Sequence, residues 1–114
     1  MDSCLFCKIV SGEAPSQTLF RDEQVTAFRD IHPAAPSHVL IVPNRHIASV
    51  NDLLPGDELL MGHLLTVARE LAGKEGIDQS GYRLIVNTGP NAGQAVFHLH
   101  LHLLGGQKMR FPMG

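Results

Sequence analysis

Three histidines stand at alternate positions near the C-terminus, in the run His98-Leu99-His100-Leu101-His102. Alternate residues of a strand share a face and sit ~6.7 Å apart along the chain. Phe97, Leu99, Leu101 and Leu103 are therefore expected to face a core, with the three imidazoles in a row on the other side. A solvated strand face more often carries Lys, Glu or Thr, and imidazoles in a row repel one another when protonated. Imidazole titrates near neutral pH and serves as nucleophile, proton donor or metal ligand. The run alone leaves catalysis and metal binding both open, because histidines at i and i+2 of a strand can share a metal.

A second group able to do chemistry is the Cys4-x-x-Cys7 pair. Such a pair is redox-active, half of a zinc site, or coincidental. A redox pair follows a strand in a βαβ setting, and no such setting is visible here. Tetrahedral zinc needs two further ligands.

The elements that must carry these residues follow from pattern. Cys4 to Val10 reads as a short helix, and Ser11 to Pro15 as a turn. Thr18–Phe20 and Gln24–Phe28 read as a hairpin joined at Asp22-Glu23. His38–Val42 is a buried strand stopped by Pro43. From Asp57 to Glu75, Leu60, Leu64, Val67, Ala68 and Leu71 fall on one helical stripe, preceded by Pro55-Gly56 and ended by Gly76. Tyr82–Asn87 and Val96–Leu104 are the last strands, separated by a polar loop at Gly89–Gly93. Short hairpins around one main helix predict an antiparallel α+β fold.

The length of 114 residues predicts one domain, residues 1–114, able to bury a core without disulfides. Hydrophobic residues make up 44% and charged residues 18%, an ordinary globular balance. The net charge of -2 argues against a nucleic-acid polymer as partner but is compatible with one bound mononucleotide. No signal segment or membrane span is evident, so a cytoplasmic location with reduced cysteines is expected.

The run His98-Leu99-His100-Leu101-His102-Leu103-Leu104 matches the pattern His-φ-His-φ-His-φ-φ, with φ apolar. On this run the chain resembles the histidine-triad superfamily, its Hint branch in particular. Further matching segments occur in order: Phe28–Ile31, Ala35–His38, Gly81–Asn87, Gly93-Gln94 and Leu104–Pro112. The resemblance implies a five-stranded antiparallel sheet with one long and one short helix, continued across a homodimer. It implies hydrolysis at the α-phosphate of purine nucleoside phosphoramidates through a nucleotidyl-histidine intermediate. Binding of a nucleotide without turnover is the alternative.

Carried over by position, His100 is the expected nucleophile and His102 the phosphate contact and proton donor. His38 is the relay partner of His102, and His98 orients the nucleophile through its carbonyl. Asp30 corresponds to the acid that binds ribose hydroxyls, and Asn87 to a residue near phosphate and ribose. Each taken alone is a loop or strand-end residue. Phe6, Ile9, Phe28, Ile31 and Leu40 correspond to the base cleft, although composition alone makes them core. Backbone N–H groups of Gly93-Gln94-Ala95 are expected to cradle the phosphate. Ala95 stands where many Hint proteins carry a serine, and Phe111 where a tryptophan is common. The resemblance also implies a structural zinc on Cys4, Cys7, His46 and His98; unmetallated thiols are the alternative. His32 and His63 have no evident partner in the sequence.

Overall fold

The computed structural model describes residues 4–110, 112 and 113; Phe111 lies outside them. The N-terminal helix α1 spans Leu5–Ser11, and the Cys4 sulfur caps it by accepting from the Cys7 N–H at 3.2 Å. Strands β1 (Thr18–Arg21), β2 (Val25–Arg29) and β3 (Ser37–Pro43) follow, then the long helix α2 (Glu58–Lys74). The strands β4 (Tyr82–Ile85) and β5 (Leu101–Gly105) complete an antiparallel sheet of order β1-β2-β3-β5-β4. No described helix is long and apolar enough to cross a membrane.

The sheet separates two apolar clusters. On one face, Leu60, Leu64, Val67, Ala68, Leu71 and Ala72 of α2 pack on Val25, Ala27, Val39, Ile41, Leu101 and Leu103. Each buried leucine contributes about 1.5–3 kcal/mol relative to an exposed one, so this stripe fixes α2 on the sheet. Gly105 ends β5 beneath Ile77, where an added Cβ would lie 2.6 Å from Ile77 Cδ1. On the opposite face, Phe6 and Ile9 of α1 pack on Phe28, Leu40 and Val42. Register places His38 opposite Leu104 and Leu40 opposite His102, so the histidines emerge on this second face, beside α1.

The expected strand from Val96 to Leu104 is half as regular as its alternation suggested. Only Leu101–Gly105 is strand, and Val96–His100 is irregular. The ladder has nothing to continue on. Pairing with β3 stops at Ile41–Leu101, the proline at 43 has no N–H, and the His98 ring takes the Pro43 carbonyl. The Leu99 N–H instead donates to the Ile47 carbonyl at 2.7 Å. Phe97 consequently points to solvent and is not core, whereas Leu99, Leu101 and Leu103 are buried as expected. Likewise β4 ends at Ile85 and not at Asn87, where its pairing to His102 ends.

Candidate active site

The hydrogen bonds of each ring assign its protons. His100 Nδ1 lies 2.8 Å from the His98 carbonyl, which can only accept. Nδ1 therefore carries the proton, and in neutral imidazole Nε2 keeps its lone pair. Phe6 packs edge-on against this ring at 5.1 Å between centroids. The ring is buried and lines a cavity of about 520 Å³.

On His38, Nδ1 accepts from the Ala34 N–H at 3.0 Å. Its Nε2 must then bear the proton, and it donates to His102 Nδ1 at 2.9 Å. His102 is thereby left with a proton on Nε2. The His100 and His102 rings lie 4.9 Å apart, so a lone pair and an N–H donor stand side by side. The neighbours favour neutral rings. Burial, with His100 and His38 adding repulsion, pushes His102 down to about 4. Burial also lowers His38, against the opposing pull of the Asp30 carboxylate.

Asp30, His38 and His102 also form a cluster of a kind that holds metals, with Asp30 Oδ2 3.5 Å from His38 Nε2. The proton on His38 Nε2 occupies the direction a metal would need, and the geometry is that of a hydrogen-bonded relay. Asp30 is further fixed by accepting from the His32 N–H at 2.8 Å.

The cavity brings together Phe6, Ile9, Phe28, Asp30, Ile31, Leu40, Asn87, Gly93, Ala95, His100 and His102. It also includes Leu5, Pro15, Ser16, Arg29, His32 and Val96, which no local sequence signal singled out. Ile31 is largely exposed and sits there as a rim residue. The expected phosphate cradle needs correction. The Gly93 N–H donates to the Pro90 carbonyl and the Gln94 N–H to that of Gly89, both at 3.1 Å. The Gln94 side chain is buried and braces the loop, accepting from Gly89 N–H and donating to the Ala48 and Val96 carbonyls. Gln94 is absent from the lining, and two of the three N–H groups are already used. Gly93 itself adopts φ +81°, which lets the loop turn back toward the histidines.

A second cluster lies behind the first. Cys4 Sγ and Cys7 Sγ are 3.3 and 3.4 Å from His98 Nδ1, and Cys7 Sγ is 3.2 Å from His46 Nδ1. His98 Nε2 donates to the Pro43 carbonyl at 2.8 Å, which leaves Nδ1 as a lone pair aimed at the sulfurs. Tetrahedral zinc with ordinary Zn–S and Zn–N bonds separates S and N ligands by about 3.5 Å, close to these spacings. Without a cation, burial and the facing Cys4 thiol push Cys7 up to about 11. The donor set thus fits a thiophilic metal that would hold the sulfurs as thiolates.

His63, for which the sequence shows no partner, lies 2.6 Å from Asp22 Oδ2 and ties α2 to the β1–β2 turn.

A five-stranded antiparallel sheet that presents two imidazoles to an apolar cavity, one with its Nε2 unbonded and one as a donor, defines a histidine-triad protein. The chain belongs to the HIT family: the HIT domain model matches residues 11–109. It is 48% identical over 108 residues to purine nucleoside phosphoramidase of Escherichia coli K12, covering 95% of this chain and 91% of that protein. The fold superposes on a HIT family hydrolase from Legionella pneumophila with a TM-score of 0.95 at 49% identity, covering 98% and all of that chain. A zinc-bound histidine triad family protein from Mycobacterium smegmatis superposes with a TM-score of 0.80 at 32% identity, covering 93% and 76%.

Proposed function

We propose that the protein hydrolyses purine nucleoside 5'-phosphoramidates, with His100 as nucleophile and His102 as acid and then base. The observation that carries this reading is the His100 Nδ1 to His98 carbonyl bond, which frees Nε2 beside the His102 donor. The name and 48% identity of the Escherichia coli relative support the substrate class. Phe6, Ile9, Phe28 and Leu40 supply apolar walls for a base, Ile31 its rim, and Asp30 acceptors for ribose hydroxyls. Asn87, Gly93 and Ala95 line the same cavity, and we read them as its phosphate side.

The anionic substrate, arriving beside His102, offsets the burial and the repulsions that lower its proton affinity, and the complex takes up one proton from solvent. The added charge is shared across the His38–His102 contact and opposed by the Asp30 carboxylate. His100 Nε2 attacks phosphorus and forms the P–N bond of the nucleotidyl-histidine. The bond to the leaving nitrogen breaks as His102 protonates it, and the amine departs neutral. In the second step His102 takes a proton from water as its oxygen attacks phosphorus. The bond to His100 then breaks and the nucleoside monophosphate is released.

Zinc on Cys4, Cys7, His46 and His98 is the reading that fits the second cluster. When bound it acts as a structural cross-link, because four protein ligands leave no open position. We also read the protein as a homodimer. Strand β4 is an edge strand of the described sheet, and Leu59, Leu65, Leu84 and Val86 are exposed on α2 and near that edge.

The test is acid-quenched mass spectrometry with adenosine 5'-phosphoramidate. An adduct of one nucleotidyl group is expected on His100, and His100→Ala should lose about 10⁴-fold or more in kcat/KM. An active His100→Ala variant, or binding without turnover, overturns the assignment.

A further inference from the structure

On the face of the sheet away from the histidines, one carboxylate collects three donors. Glu75, at the C-terminal end of α2, accepts from Arg29 Nη1 at 2.5 Å and Nη2 at 2.9 Å in a bidentate pair. Its Oε1 also accepts from Ser37 Oγ at 2.8 Å. Arg29 is the last residue of β2, and Ser37 the first of β3. Their chain neighbours are Asp30 and His38, the acid and the relay histidine of the cavity.

At this point the β2–β3 ladder ends, although Arg29 N–H still donates to the Gln17 carbonyl at 3.1 Å and Ser37 still pairs with Gly105 of β5. The last ladder pair is Arg29 with Val39, and the last backbone bond is Asp30 N–H to the His38 carbonyl at 3.0 Å. Beyond it the chain runs through His32, Pro33 and Ala34, all exposed and outside any strand. The Glu75 side chain is 16% exposed and that of Arg29 34%, so the pair is half-buried and its bidentate geometry holds it better than a single surface contact. Glu75 lies outside the cavity lining, and its one link to that lining is through Arg29.

We propose that Glu75 is a positioning residue: by clamping Arg29 and Ser37 from behind, it sets the placement of Asp30 and His38 and so sharpens recognition of the ribose diol. The proposal rests on the reading of Asp30 as the ribose acceptor. Asp30 has little freedom to spare, with one oxygen on the His32 N–H and the other 3.5 Å from His38 Nε2. A shift of the β2 end moves this carboxylate relative to the nucleophile, whereas the base walls Phe6 and Ile9 on α1 and Leu40 on β3 are held elsewhere.

The experiment compares kcat/KM for adenosine 5'-phosphoramidate and its 2'-deoxy analogue in the wild type and in Glu75→Gln. The ratio of the two is internal to each preparation, so a lower folded fraction cancels. Wild type is expected to prefer the ribonucleotide, and Glu75→Gln to lose threefold or more of that preference. Ser37→Ala, which removes one donor and leaves the ion pair, is expected to lose a smaller part and stands in if Glu75→Gln does not fold. A wild-type enzyme indifferent to the 2'-hydroxyl overturns the ribose reading and this proposal with it. A wild-type preference that survives unchanged in both folded variants overturns this proposal alone.

Discussion

His38 Nε2 lies 2.9 Å from His102 Nδ1, although 64 residues separate the two in sequence. The contact is directional. The Ala34 N–H fixes one nitrogen of His38 as acceptor, so the other must donate and His102 must present its remaining N–H.

This chain of constraints predicts a full tautomer assignment. Long-range proton–nitrogen correlation spectra at pH 7 should find His38 and His102 protonated on Nε2 and His100 on Nδ1. The His38→Ala variant removes the one donor to His102 Nδ1 among the described residues and should cost about 10²-fold in kcat, the low end for a general-acid partner. An Nε2-protonated His100 in the free protein contradicts the nucleophile assignment.

Much of this arrangement was legible before any coordinates, and the parts that were not have physical reasons. The stripe Leu60–Leu64–Val67–Leu71 located α2 because helical periodicity is local. The strand His38–Val42 was evident from its unbroken apolar run. Alternation misled at Phe97, because whether a pattern becomes a strand depends on a neighbour able to pair, and Pro43 has no N–H to offer on that side while its carbonyl is taken by the His98 ring. The spent N–H groups of Gly93 and Gln94 were invisible for a similar reason: a loop's internal bonds are set by its fold, not by its composition. Glu75 carries no motif, and its role arises only when the end of a helix meets the ends of two strands.

Acid should destabilise the free protein in two stages. His102 has its proton affinity lowered in the fold to about 4 from the usual 6.5. Between those values the unfolded chain binds the proton that the native state refuses, so stability is full above about pH 6.5 and falls as the pH drops toward 4. His38 is lowered too and acts in the same direction. For His102, allowing for screening of a partly exposed ring, the loss is about 1–2 kcal/mol, or roughly 4–10 °C in Tm. Below about pH 4.5 for Glu75 and about 3.8 for Asp22, the unfolded chain takes up protons that these ion-paired carboxylates resist in the fold, so their contributions fade as well. Calorimetry from pH 7 to 4 tests this, and a His102→Asn variant should flatten the upper stage.

Metal removal should separate stability from chemistry. The four donors of Cys4, Cys7, His46 and His98 tie the cap of α1 to the segment that enters β5, and α1 in turn carries Phe6 and Ile9 of the cavity wall. A metal bound at a concentration 1,000-fold above its Kd contributes about 4 kcal/mol to the native state. Chelation, or Cys4→Ser, should therefore lower Tm by more than 10 °C. The nucleophile itself is held by the His98 carbonyl and not by the His98 ring, so turnover measured well below the new Tm should persist within about tenfold. Metal content by emission spectroscopy, Tm and kcat measured on the same samples decide the matter. Turnover that disappears with the metal while the fold remains intact would assign the cluster to the chemistry, and an unchanged Tm after complete removal would deny it a structural role.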